Sequence, residues 1–152
     1  MRLTAIPMNT DAVVPCAADW LVKGEVRKLV IVINGVTTGD VLERWVFNVE
    51  TDRDSVVNGK AFEKSEKNIM EEIQAIIRQI TASVTFLPLL NEPCTFDLLV
   101  YTDNSAKVPT SWEESDPRYI ANSTEVRLRS FTTKVHKVDA LVAYKTAGDD
   151  DV

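Results

Sequence analysis

The chain has very little of what reactive or metal-holding centres are built from. His136 is its single histidine, which leaves out metal ligation by clustered histidines. Cys16 and Cys94 are its two cysteines, too few and too far apart for a disulfide framework or a zinc cluster. A reduced compartment is the simpler reading. Five glycines are scattered at 24, 35, 39, 59 and 148, so no glycine-rich phosphate loop exists. There is no G-x-S-x-G elbow. Positive charge is also short, with 17 basic against 23 acidic residues, and a net charge of -6 argues against binding along a phosphate backbone. No apolar run approaches the length of a membrane span. At the N-terminus, Asn9, Thr10 and Asp11 interrupt any signal-peptide core, and Pro7 and Pro15 punctuate it. The expectation is a soluble, intracellular chain without cofactor or metal, binding neither nucleic acid nor membrane. The Asn122-Ser123-Thr124 sequon reads as chance in that setting.

What chemistry is left points weakly to catalysis. Counting residues leaves open a Cys94–His136 site or a Ser–His–Asp site. His136, between Val135 and Lys137 in a polar connection, reads as a solvated surface histidine. Glu113 and Glu114 are adjacent and diverge, unlike a pair converging on one substrate atom. The expectation is a non-enzyme.

What is present reads as one globular domain. A hydrophobic content of 45% over 152 residues fits a packed core. Residues 1–18 show no clear period and read as poorly ordered or loosely attached. Asp19–Lys23 reads as the last turn of a helix, with Gly24 as its stop. Arg27–Ile33 and Val41–Val49, joined by N-G-V-T-T-G-D, read as a β-hairpin. Thr51–Ala61 reads as a flexible loop. Ile69, Ile73, Ile76, Ile77, Ile80 and Val84 form one apolar helical face, capped by Ser65 and stopped at Leu87-Pro88. Ile73 and Ile77 are expected in the core. Thr95–Thr102 is a strand, and Asp103–Thr124 is a long connection rich in turn formers. Val126–Phe131 and Val138–Tyr144 complete the strands. The fold class is α+β, a long helix laid on a mostly antiparallel sheet. The tail is locally basic through Arg127, Arg129, Lys134, Lys137 and Lys145, and residues 146–152 form an acidic end. Both read as solvated.

Four stretches carry a resemblance: S-E-K-N-I-M-E-E-I-Q-A-I-I-R-Q-I-T-A-S-V-T-F-L-P-L-L, C-T-F-D-L-L-V-Y-T-D, V-P-T-S-W-E-E-S-D-P-R-Y-I and S-T-E-V-R-L-R-S-F-T-T-K-V-H-K-V-D-A-L-V-A-Y-K. Together with the hairpin G-D-V-L-E-R-W-V-F-N-V-E they resemble the HORMA-domain proteins, and among them the mitotic arrest deficient family of the spindle-assembly checkpoint. The resemblance runs over about residues 19–145. It implies a non-enzymatic adaptor that captures partner peptides by β-augmentation under a C-terminal safety belt, here about residues 103–145. In an open form the tail pairs at the sheet edge where a ligand would lie. In a closed form it crosses to the other side and wraps a peptide that has added itself as a strand.

On that resemblance the peptide would lie beside Thr95–Thr102 and meet Phe96, Leu98, Leu99, Tyr101 and Trp112. Leu141, Val142 and Tyr144 are carried over as peptide-site residues that fasten the belt. Arg78, Gln79 and Phe86 match the surface through which open and closed copies dimerise. The implied partners are a kinetochore-anchored coiled-coil checkpoint protein, the co-activator of the anaphase-promoting complex, and a second copy of the chain. The implied locations are nucleus, kinetochore and cytoplasm. One departure stands out. The family has two helices before the hairpin, whereas Asp19-Trp20-Leu21 resembles only the end of the second, so the N-terminal helices are expected to be missing. Two alternatives follow, a shortened and poorly folded isoform without adaptor activity, and a sister HORMA adaptor of translesion DNA synthesis.

Overall fold

The computed structural model describes residues 1–5, 9–51, 65–133 and 136–146. Most of the loop expected at Thr51–Ala61, and the acidic end beyond residue 146, lie outside the described residues. The elements in chain order are β1 (Arg2–Ala5), α1 (Thr10–Val22), β2 (Val26–Gly35), β3 (Val41–Thr51), α2 (Glu66–Ala82) with a 3₁₀ turn Ser83–Thr85, β4 (Cys94–Thr102), β5 (Trp112–Glu114), β6 (Ser123–Arg127), β7 (Phe131–Thr132) and β8 (His136–Lys145). The strands form one eight-stranded sheet in the order β5-β1-β4-β2-β3-β8-β6, with β7 also paired to β8. Every pairing is antiparallel.

Alternation along the strands builds two apolar layers. Leu3, Ala5, Val26, Val49 and Val100 gather on one face with Val13 and Trp20 of α1, and with Ala106 and Trp112. Val30, Val32, Val46 and Leu99 gather in a second cluster with Tyr101 and Leu141. Because neighbouring residues of a strand point to opposite faces, Leu99 and Val100 are each fully buried, in different clusters. Hydrophobic residues on both faces are what the run R-K-L-V-I-V-I requires of a central strand.

The β2–β3 hairpin closes through residues 36–40, with Gly39 at a φ of 74° where a side chain is disfavoured. Glu92 clamps this turn from outside. Its Oε1 accepts hydrogen bonds from the amides of Thr37 (3.0 Å) and Thr38 (3.1 Å).

The N-terminal segment departs from expectation. Residues 2–5 are a strand inside the sheet, and α1 is a complete helix rather than a last turn. Val13, Ala17 and Trp20 bury one face of α1, while Asn9 caps its start by accepting from the Asp11 amide at 3.1 Å. Pro15 is carried inside α1, and burial of this face outweighs the hydrogen bond that proline removes. The helix does stop where expected, with Gly24 at a φ of 70°.

α2 is capped by Ser65, whose hydroxyl accepts from the Asn68 amide at 3.2 Å. Its packing is narrower than expected. Ile76 is the buried residue, whereas Ile77 is 54% exposed. The helix leans on the tail rather than on a broad apolar partner. Glu72 Oε2 accepts from the Thr132 amide at 3.1 Å, and Gln79 Oε1 accepts from the Arg129 amide.

Glu43, buried on β3, gives a testable pH effect. Burial pushes its carboxyl above the usual carboxylate range, and a hydrogen bond donated by Trp45 Nε1 at 3.1 Å partly opposes this. A raised native pKa means that the folded state holds the proton more tightly than the unfolded state. Its contribution is fully present below the unfolded carboxyl's pKa and is lost as pH rises through the native one. Glu43→Gln keeps an acceptor for Trp45 and removes the charge. Urea unfolding should find the variant more stable than the parent at neutral pH, with the gap closing in mild acid. Equal gaps at both conditions would contradict this.

Candidate functional site

The site forms around β4, whose residues pair with β2 from Thr102 through Cys94 on one side. On its other side lies β1, with Arg2, Leu3 and Thr4 opposite Tyr101, Val100 and Leu99. β5 then closes over β1, setting Glu114, Glu113 and Trp112 opposite Leu3, Thr4 and Ala5. A short strand is therefore enclosed between β4 and the start of the long connection. Trp112 forms the wall of this channel. It is 7% exposed, and its ring meets Trp20 of α1 edge-on at 4.8 Å.

From β5 the chain crosses the face of the sheet as a strap. Arg2 and Ser115 bracket its beginning, with the Arg2 Nε donating to Ser115 O (3.2 Å) and the Ser115 amide donating to Arg2 O (2.9 Å). Arg44, buried on β3, holds the middle. Its Nε donates to Pro117 O at 3.0 Å, its Nη2 to the Tyr101 hydroxyl at 3.1 Å, and its guanidinium lies 4.8 Å from the centre of the Tyr119 ring. Arg118 pairs with Asp97 of β4, whose Oδ2 also accepts from Asn34 Nδ2 at 3.3 Å. Arg118 and Asn122 stand at φ values of 52° and 55°, so both corners of the strap use the left-handed region. The tail then fastens on the far side of the sheet. β8 pairs with β3 from His136 through Tyr144, and β6 pairs with β8.

The expected peptide-site residues therefore separate. Leu99 and Tyr101 sit opposite the enclosed strand, and Trp112 covers it. Phe96 and Leu98 lie on β4 beyond the residues paired with β1. Leu141, Val142 and Tyr144 are on β8, paired with Val46, Trp45 and Glu43. With β2 and β3 between β8 and β4, these three fasten the tail and do not line the channel. The residues missed by sequence reasoning are Leu3, Thr4 and Ala5, which fill the channel, and Arg44, which pins the strap. Leu3 offered only a weak signal, a four-residue alternation with Leu3 and Ala5 as its apolar members. Arg44 offered none beyond a charge inside an apolar run.

Phe86 and Tyr144 are brought together, their ring centres 6.2 Å apart. Arg78 is exposed on α2, Gln79 is occupied by the Arg129 amide, and Phe86 is 40% exposed. His136 is not solvated. It lies in β8, half-buried, with its Nε2 at 3.0 Å from Leu21 O and its amide donating to Thr133 Oγ1 at 3.0 Å. Cys94 pairs across from Gly35 at one end of the sheet, and His136 from Thr51 toward the other, so the two do not form a site. Among the described residues, no cluster of His, Cys, Asp and Glu could hold a metal ion. Nor is any helix among them long and apolar enough to cross a membrane.

Comparison with known proteins decides the family, since the HORMA domain matches residues 10–136. The chain belongs to the HORMA-domain family. Within that family it is 59% identical, over 140 residues, to the mitotic spindle assembly checkpoint protein MAD2A of Dictyostelium discoideum, covering 91% of this chain and 68% of that protein. The human protein of the same name is 56% identical over 132 residues, covering 87% of this chain and 64% of that one. The chain is a HORMA protein of the spindle-assembly-checkpoint branch, and it spans about two thirds of the length of the relatives it matches. A chain in a crystal structure of the mitotic checkpoint complex superposes with a TM-score of 0.78 at 43% identity, covering 90% of this chain and 71% of that one. Caenorhabditis elegans HTP-2 bound to a HIM-3 closure motif superposes at 0.62 with 12% identity, over 90% of this chain and 67% of that one, a likeness of fold alone. The matched HORMA region begins at residue 10, well before the boundary expected at residue 19, and so includes all of α1.

Proposed function

We propose that this HORMA protein is a non-enzymatic spindle-assembly-checkpoint adaptor that holds a partner peptide as an added strand beside β4, under the belt of residues 103–145. The observation that carries the reading is the channel itself. A four-residue strand lies between β4 and β5, hydrogen-bonded on both edges, while the strap and β8 close around the sheet. Main-chain pairing supplies affinity without demanding one sequence, and enclosure slows release. Leu99, Tyr101 and Trp112 contact the peptide. Leu141, Val142 and Tyr144 keep the belt shut from the far side. This is the closed arrangement of the family, with the tail on β3 and the edge of β4 given to a strand.

The partners in this reading are the kinetochore-anchored coiled-coil checkpoint protein and the co-activator of the anaphase-promoting complex, which the adaptor inhibits. The protein acts at the kinetochore, in the nucleus and in the cytoplasm. A second copy docks through Arg78, Gln79 and Phe86.

The test is a belt deletion. A short hydrophobic peptide from the anchor protein, at saturating concentration, should co-elute with the full chain. A chain ending at Ala140 loses the β8 residues that pair with Glu43 through Val46 and all of those that pair with β6, and it should release the peptide. Retention by the shortened chain would overturn the belt mechanism.

A further inference from the structure

We propose that Arg2–Ala5 is a resident ligand of the strand channel, held in cis, and that its side chains define the class of peptide the channel accepts. That class is a short extended segment with one enclosed apolar residue followed by small ones. The inference rests on the adaptor reading above and adds the occupant and its preference.

The position of β1 carries the argument. Among the described residues it is the strand with β5 on one side and β4 on the other, which is where the adaptor reading puts a captured peptide. Leu3 is 1% exposed and packs among Val13, Trp20, Val100 and Trp112. Ala5, on the same face, lies opposite Trp112, where a larger side chain would meet the indole. Thr4 faces the other side, opposite Leu99, and is also buried. The register thus demands an apolar side chain at the Leu3 position and compact ones at the next two. Arg2 lies at the rim, its guanidinium reaching the carbonyl of Ser115 where the strap begins. A basic residue ahead of the apolar one therefore couples the occupant to the belt.

β1 is also built to be displaced. It pairs with β4 at only three positions, whereas β2 pairs with β4 along its full length. Its covering strand β5 is shorter still, at three residues. Being covalently joined to α1, so brief a strand is presented to the channel at an effective concentration on the order of millimolar. A partner peptide must compete with that local concentration, so its apparent affinity is lowered by the fraction of time the channel stands open.

The experiment uses the full chain and a fluorescein-labelled synthetic peptide of residues 1–9 as probe, read by anisotropy. The unaltered chain should bind this probe at least ten-fold more weakly than the full-length variant Leu3→Asp, whose own β1 cannot remain in the apolar channel. A probe carrying the same Leu3→Asp change should bind the variant at least ten-fold more weakly than the parent probe. In the unaltered chain, the amides of residues 3–5 should be protected from exchange. Random-coil exchange rates at those amides would overturn the proposal without recourse to any variant. Equal probe binding by the two proteins would also overturn it, and would leave the adaptor reading standing if both retain the anchor-derived peptide. A variant that keeps its circular dichroism yet binds neither probe nor anchor-derived peptide would sink the adaptor reading, and this proposal with it.

Discussion

Arg44→Met should loosen the strap while leaving the hairpin beneath it intact. Arg44 is fixed on β3 between its pairing partners Val32 and Ala143, so its backbone position does not depend on the strap. Its side chain supplies what holds the crossing segment down, donating to Pro117 O and to the Tyr101 hydroxyl beneath the Tyr119 ring. Hydrogen bonds from a charged donor are worth about 1.5–3 kcal/mol each, and methionine keeps the aliphatic volume but offers no donor. Relief from burying a guanidinium returns part of that loss. A net loss of about 2 kcal/mol is expected, which corresponds to a roughly thirty-fold larger open population of the strap if it is confined there. Amide exchange should therefore quicken across residues 115–122 while β2 and β3 keep their protection, and a bound peptide should leave faster. Uniform loss of protection through the sheet would assign Arg44 to the core instead.

Trp112→Ala is expected to have the larger effect on stability, about 3–5 kcal/mol. The indole is almost wholly enclosed, it closes the aromatic contact with Trp20, and it covers Ala5. α1 and β5 cannot collapse into the vacated volume without pulling β1 off register. For a domain whose total stability falls within about 5–15 kcal/mol, such a loss is a large share. Urea unfolding should show a lower midpoint. Trp112→Phe, which preserves an aromatic edge against Trp20, should recover more than half of the loss. If alanine costs under about 1 kcal/mol, the wall of the channel is not where its burial places it.

Much of the fold was legible because its signals are local. The isoleucines of α2 repeat at helical spacing, and β2, β3, β4 and β8 are long alternating or apolar runs. The ends of that legibility are physical. R-L-T-A carries too few residues to show a period, and it becomes a strand only because β4 and β5, about a hundred residues later, supply both edges. α1 was hidden by Pro15, although Val13, Ala17 and Trp20 already stood at helical spacing. Ile77 shares the apolar stripe of α2 with Ile76, yet only a narrow seam along the tail covers that stripe, so sequence alone could not divide them. Trp112 is carried to the site by resemblance, and the structure shows it buried opposite Ala5 of β1. Leu141, Val142 and Tyr144 lie on β8, separated from β4 by β3 and β2, a separation that only the strand order reveals.

The enclosed strand also sets an order of events during synthesis. Residues 2–5 are made well before the two strands that flank them, β4 at Cys94–Thr102 and β5 at Trp112–Glu114. At roughly 5–20 residues per second, that segment waits on the order of 5–20 s before β4 and β5 exist to receive it. α1 and the β2–β3 hairpin have time to form in the interval, and the closing contacts are among the most remote in the sequence, a condition for slow folding. β1, made well before its neighbours, is thus among the last pieces to be set in place, and in the proposed adaptor it competes with any partner peptide for the newly made edge of β4.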